Sequence, residues 1–165
     1  SENLGYYLNL YNTWSSYQPE EEGVVIAYTS VYGNTKKAVL ALADKLRAKG
    51  CPKVVVNDLA RCDMAEAVED AFRYSRLVVA AASYDADVFP PMHDFLHHLA
   101  IKNYSKRRIG IIENGSWAPS AGKAMRKIID TFKDVTVADT MVTIVSTLKP
   151  TDTPALERLA DEVLA

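Results

Sequence analysis

From residue 24 onward the hydrophobic positions alternate between two rhythms. Short continuous runs, VVIAY (24–28), VVV (54–56), LVVAAA (77–82), IGII (109–112) and MVTIV (141–145), are rich in Val and Ile, the pattern of strands buried on both faces. Between them apolar residues recur at helical spacing, and each set makes one buried helix face. The sets are Ala38, Val39, Leu42 and Leu46; Met64, Ala67, Val68, Ala71 and Phe72; Met92, Phe95, Leu96 and Leu99; Ala121, Ala124, Met125, Ile128 and Phe132; and Leu156, Leu159, Ala160 and Val163. Punctuation agrees: Asp63 with Glu66 reads as a capping box, Thr153-Pro154 as N-cap and N1, and Gly50 followed by Pro52 as a helix stop. Five β-α pairs in strict alternation predict a parallel sheet with right-handed crossovers and helices on both faces, a doubly wound α/β domain.

Residues 1–23 break the rhythm. Leu4, Tyr7, Leu8, Tyr11 and Trp14 stand at helical spacing, followed by Pro19 and the run Glu20-Glu21-Glu22. This reads as a short amphipathic helix and a polar linker, ahead of a domain spanning 24–165. The apolar face of that helix can pack back on the domain or dock against a neighbouring one. A first residue of Ser1 rather than Met points to a longer parent chain.

Composition narrows the function classes. At 165 residues, 48% of them hydrophobic and 24% charged, the chain suits one globular domain. A net charge of −2 gives no basic field for nucleic acid, and Lys102, Lys106, Arg107 and Arg108 read as a solvated loop between elements. No apolar run is long enough to span a bilayer. Cys51 and Cys62 have no C-x-x-C or zinc spacing, which favours a reduced, cytoplasmic setting.

The first strand runs into TSVYGNT, Thr29 to Thr35, and then into a helix. In an open parallel sheet, ligands sit beyond the carboxyl ends of the strands. A helix N-terminus there offers unpaired N–H groups and a dipole that favours an anion. Ser30, Asn34, Thr35 and Thr29 add side-chain donors, and Gly33 lets the backbone come close. Taken alone, the loop fits either a phosphate site or an ordinary capped turn. It is neither G-x-x-x-x-G-K-[ST] nor G-x-G-x-x-G, and the strand ends lack the carboxylate cluster of a phosphoacceptor domain.

Two further loops reach the same edge: SYDADVFPPMHDF (Ser83–Phe95) and ENGSWAPSAGKAM (Glu113–Met125). Each sets an aromatic, Tyr84 or Trp117, among small polar residues, as a planar amphipathic ring system would need. Together TSVYGNT, YDADVFPPM and ENGSWAP resemble the FMN-binding loops of flavodoxins, and most closely those of the flavodoxin-like domain of flavodiiron proteins (A-type flavoproteins). The likeness runs from about Val24 to the C-terminus.

The resemblance implies a three-layer flavodoxin-like fold with a five-stranded parallel sheet in the order 2-1-3-4-5, of the short-chain type. It implies that Thr29, Ser30, Val31, Tyr32, Gly33, Asn34 and Thr35 hold the FMN phosphate. Ser83, Tyr84, Asp85, Ala86, Asp87 and Val88, with Asn114, Gly115, Ser116 and Trp117, would flank the isoalloxazine, and Trp117 would stack on it. Relatives usually carry glycine where this chain has Ala86 and Asp87; a carboxylate turned toward the flavin would lower its reduction potential, whereas a solvent-facing turn residue would not. In flavodiiron proteins a diiron metallo-β-lactamase-like domain precedes this one. Its H-x-E-x-D-H motif is absent here, so this chain would supply electrons to that domain, in cis or in a dimer partner, after receiving them from a rubredoxin-like or other reductase. The charge of −2 suits a domain tethered to its acceptor better than a free, more acidic flavodoxin. Two other readings share the fold: a stand-alone FMN-dependent NAD(P)H:quinone oxidoreductase, and a scaffold without FMN.

Other chemistry-bearing residues read as structural. His93 and His97 stand at i, i+4 but are too few to hold a metal without further ligands, and fit solvent-facing or flavin-edge positions. Cys62 is expected in a loop at the sheet edge away from the flavin. Glu66, Glu69 and Asp70 fit a solvated helix face.

Overall fold

The computed structural model describes residues 19–30, 33–84, 87–88, 90–115 and 119–165, with residues 84, 87 and 88 described by backbone alone. Five parallel strands, β1 (Glu21–Tyr28), β2 (Val54–Asp58), β3 (Tyr74–Tyr84), β4 (Arg108–Gly115) and β5 (Thr136–Val145), lie in the order β2-β1-β3-β4-β5. The helices are α1 (Asn34–Ala48), α2 (Met64–Arg73), α3 (Pro90–Ile101), α4 (Ala121–Ile129) and α5 (Thr153–Leu164). Side chains of α2, α3 and α4 fill one core with one face of the sheet, while α1 and α5 fill the other. This is the three-layer, doubly wound arrangement expected from the alternation of runs.

The predicted stripes are the buried ones. Leu42, Leu46, Phe95, Leu96, Leu99, Leu159 and Val163 are fully buried, and each such side chain contributes about 1.5–3 kcal/mol by leaving water. Central strands β1, β3 and β4 carry the continuous apolar runs. Edge strand β2 is only half-buried throughout, so its three valines reflect β-propensity as much as burial.

Boundaries differ for physical reasons. β1 starts at Glu21, inside the stretch read as linker: Glu21 pairs with Tyr74, the Glu20 N–H donates to the Arg73 carbonyl at 2.9 Å, and Glu22 meets Arg76. At a sheet corner such glutamates keep their charges in water while the backbone pairs. β5 starts at Thr136, five residues ahead of MVTIV, because its register against β4 shifts between Ile109 and Ile111; that irregularity breaks the apolar rhythm. Asp63 does cap α2, its carboxylate accepting from the Ala65 N–H at 2.9 Å. Thr153 is the first residue of α5 rather than its cap, because a 3-10 turn over Pro150–Asp152 leads into the helix.

Arg107 overturns the solvated-loop reading. It is 4% exposed, donates to the carbonyls of Tyr74 (3.4 Å), Ser105 (2.7 Å) and Phe72, and lies over the rings of Phe72 and Tyr104. A guanidinium with several fixed donors can be buried when carbonyls take them. Arg108 belongs to β4, leaving only Lys102 and Lys106 exposed in that stretch.

Candidate functional site

All five strands run the same way, so the segments following them gather along one edge of the sheet. The strand order reverses at β1, flanked by β2 on one side and β3 on the other, and the crevice at such a switch point is where open α/β sheets bind ligands.

The first loop leaves β1 at Thr29, whose N–H donates to the Ala80 carbonyl at 3.0 Å. Its side chain is wholly buried, yet Oγ1 has no hydrogen-bond partner among the described residues. A buried hydroxyl left so costs about 1–3 kcal/mol. Ser30 Oγ accepts from the Lys36 N–H at 3.4 Å. Gly33 sits at the N-cap of α1 with φ +83°, a conformation that favours glycine, and a Cβ there would meet nothing within 4 Å. Asn34 and Thr35 open the helix. No acidic residue stands in its first turn, and the exposed Lys36 and Lys37 follow, cations where the macrodipole favours an anion. By contrast α2 has an Asp cap and Glu66 in its first turn. The start of α1 is thus without an acidic residue or a cap from Gly33, and among the described residues only Ser30 Oγ meets its first turn from the loop before it. The residues present fit an anionic group.

The third loop is strapped to both the second and the first. Ser83 Oγ accepts from the N–H groups of Ser120 (2.8 Å) and Ala121 (3.1 Å), capping α4 from another strand, since Ser120 itself makes no side-chain cap. Just beyond, Asp87–Val88 pairs antiparallel with Ser83 and Tyr84. Asn114, 6% exposed, directs its amide Nδ2 at Thr35 Oγ1 and at the Ser146 carbonyl, both at 3.4 Å. The Ser146 N–H donates to the Gly115 carbonyl at 3.0 Å.

Of the sequence-predicted residues, Thr29, Ser30, Gly33, Asn34, Thr35, Ser83, Asn114 and Gly115 thus stand together at the carboxyl edge. Tyr84, Asp87 and Val88 join them by backbone alone. Val31, Tyr32, Asp85, Ala86, Ser116 and Trp117 lie outside the described residues, as do the helix expected over Leu4–Trp14 and the inward or outward setting of Asp87.

Sequence reasoning missed two supports. Glu113, 8% exposed, accepts from the Gly122 N–H at 2.7 Å and the Thr143 hydroxyl at 3.2 Å, tying the third loop to α4 and β5. Its signal was available: a charge ending an apolar strand run is buried only when partnered. Ser146, with φ +65°, gave no signal.

Cys62 is a correction. Because β2 is parallel to β1, the segment after Asp58 lies at the carboxyl edge, not the opposite one. The thiol is half-buried against the α2–α4 core, and burial pushes its pKa up, which keeps it protonated. Nearby, the Tyr28 hydroxyl donates to Asp58 at 3.5 Å, and burial followed by the Asp58 charge raises its pKa. His93 and His97 are exposed and stack on each other with centroids 6.3 Å apart. No group of three or more metal-ligating side chains occurs among the described residues, and no helix among them is long and apolar enough to cross a membrane.

The fold is flavodoxin-like. No protein-family model matches the chain, and no curated protein does. Among solved structures it is similar to the rubredoxin oxygen:oxidoreductase from the anaerobe Desulfovibrio gigas, with a TM-score of 0.89 and 17% identity over 98% of this chain and 40% of that one. It is similar to the flavodiiron protein from Giardia intestinalis, with a TM-score of 0.79 and 16% identity over 99% of this chain and 41% of that one. A flavodoxin from the domain Archaea matches with a TM-score of 0.73 and 17% identity, over 87% of this chain and 96% of its own. The chain therefore spans about two fifths of the length of the first two.

Proposed function

We propose that this chain binds one FMN at the carboxyl edge of its sheet and serves as an electron-transfer domain of a flavodiiron-type protein. The observation that carries the binding is the first loop: a helix start without acid and without a cap from Gly33, where Ser30 takes the Lys36 N–H, a Thr29 hydroxyl unpartnered among the described residues, and a left-handed Gly33 with no described atom near where a Cβ would sit. Thr29–Thr35 would hold the phosphate. Ser83–Val88 and Asn114–Trp117 would flank the ring, held apart at a fixed spacing by the Ser83–Ser120 and Glu113–Gly122 bonds. When bound, the isoalloxazine supplies reversible uptake of electrons and protons. The protein's own part is to seat it, limit water and tune its potential.

The two-domain context rests on coverage. The flavodoxin match leaves about 18 residues more of this chain uncovered than the oxygen:oxidoreductase match does. That is about the length of the segment ahead of Pro19, which supports reading the amphipathic stretch as separate from the fold. The residues ahead of β1 would then join this domain to a diiron metallo-β-lactamase-like domain, in cis or in a dimer partner. Electrons arrive from a rubredoxin-like or other reductase, in the cytoplasm.

Titrating the purified chain with FMN tests the binding. Saturable quenching of flavin fluorescence at one equivalent is expected; a chain that leaves FMN fluorescence unchanged is not a flavin carrier. Rapid NADH oxidation with quinone by the isolated chain would instead make it a stand-alone oxidoreductase.

A further inference from the structure

Asn114 is nearly buried between two elements, and its contacts fix which way its amide faces. The Ser146 carbonyl can only accept, so the atom 3.4 Å from it is the NH2 group. The same NH2 group faces Thr35 Oγ1 at 3.4 Å, so that oxygen accepts, and its single hydrogen must point elsewhere. No described residue takes that hydrogen. Thr35 is 1% exposed and stands in the first turn of α1, beside the Gly33 opening where the N-terminal N–H groups also point. Ser146 adds an independent sign that the strap matters. It holds a left-handed φ of +65°, uncommon for a residue with a side chain, and both its backbone groups are bound, to Gly115 and to Asn114.

We propose that Asn114 is a positioning residue for the anion end of the site: by donating to Thr35 Oγ1 it turns the Thr35 hydroxyl hydrogen toward the phosphate. This rests on the FMN reading. It gives Asn114 a role at the phosphate beyond its place in the loop that flanks the ring, and it couples the third loop to the first through the Thr35 hydroxyl.

The test compares two ligands that differ only by the phosphate, FMN and riboflavin, by fluorescence titration of the full chain. For Asn114→Ala the FMN dissociation constant is expected to rise about tenfold, the effect of losing one well-aimed bond to a charged group, while that for riboflavin changes less than about twofold. Thr35→Val should give the same split, Thr35→Ser should restore FMN affinity, and Asn114→Ala added to Thr35→Val should weaken FMN no further. Equal loss for both ligands in Asn114→Ala, or additive losses in the double variant, would overturn the positioning role with FMN binding intact. A wild-type chain that binds neither ligand would overturn the flavin reading and this inference with it. If Asn114→Ala does not fold, the Thr35 pair decides: a Thr35→Val chain that holds FMN as tightly as wild type has no aimed hydroxyl for Asn114 to position.

Discussion

The two ends of the sheet both bury polar groups, and they treat them in opposite ways. At the amino edge, Arg107 spends its donors on the carbonyls of Phe72, Tyr74 and Ser105 and lies against the rings of Phe72 and Tyr104. At the carboxyl edge, straps fix the frame through Ser83, Glu113 and Asn114, yet the first loop keeps donor capacity in reserve at Thr29, at Thr35 and at the start of α1. One edge is closed by its own hydrogen bonds. The other is held in shape and left chemically open, which is what a preorganised ligand site requires.

The largest effect is expected where that closure is removed. Arg107→Leu strands several buried carbonyls, and stability by urea denaturation should fall by about 3–5 kcal/mol. FMN affinity of the folded protein should stay within about twofold, because nothing at the amino edge touches the site. An Arg107→Leu protein that folds normally but loses FMN would mean the two edges are coupled, and the contrast would fail.

The frame of the open edge should break next. A Cβ at Gly122 would run into Glu113 Oε2 and Met141 Sδ, so Gly122→Ala should cost about 2–3 kcal/mol through overpacking and weaken FMN as the third loop shifts. Shortening the opposing carboxylate with Glu113→Ala should relieve part of the clash. A double variant as unstable as the summed single ones would locate the strain elsewhere.

Orphan hydroxyls offer the sharpest contrast, because each edge has one. Tyr104 at the amino edge is buried with its hydroxyl unpartnered, and burial pushes its pKa upward. Tyr104→Phe removes an unsatisfied group and should leave stability unchanged or raised by up to about 1 kcal/mol, with FMN affinity untouched. Thr29→Val does the same at the carboxyl edge, so its melting temperature without ligand should hold or rise, but FMN should bind about tenfold more weakly. If Thr29→Val binds FMN like wild type, its hydroxyl is as idle as that of Tyr104.

The contrast was half legible in the sequence. Five runs of Val and Ile and five helical stripes declare a doubly wound sheet, because burial alone sets those periods. TSVYGNT alone fits an anion site or an ordinary capped turn equally well, and it points to the open edge only in company with the two further loops. What stayed hidden depends on partners distant along the chain. Arg107 looks like a loop cation until the carbonyls of Phe72 and Tyr74 are beside it. Ser83 looks like a ring contact until its hydroxyl is found capping α4 across a strand boundary. Cys62 differs, because its edge needs no distant partner to be read: the segment following a parallel strand always joins the carboxyl edge, and β2 is no exception.

The smallest expected effect is a pH dependence confined to the closed edge. Glu22 accepts a hydrogen bond from Arg76, and this bond lowers its pKa below the ordinary carboxylate value. Since the folded value lies below the unfolded one, the contribution is complete above the ordinary carboxylate pKa and is lost as pH falls through the folded value. The Glu22 carboxylate is largely solvent-exposed, so the pair is worth at most about 0.5 kcal/mol. Glu22→Gln mimics the protonated acid: its melting temperature should sit slightly below wild type at pH 7, and the gap should close once the pH lies below the folded pKa. A gap of equal size at both pH values would show that the charge of Glu22 contributes nothing, and that the start of β1 is held there by its other contacts, among them the pairing with Tyr74 and the Glu20 N–H bond to Arg73.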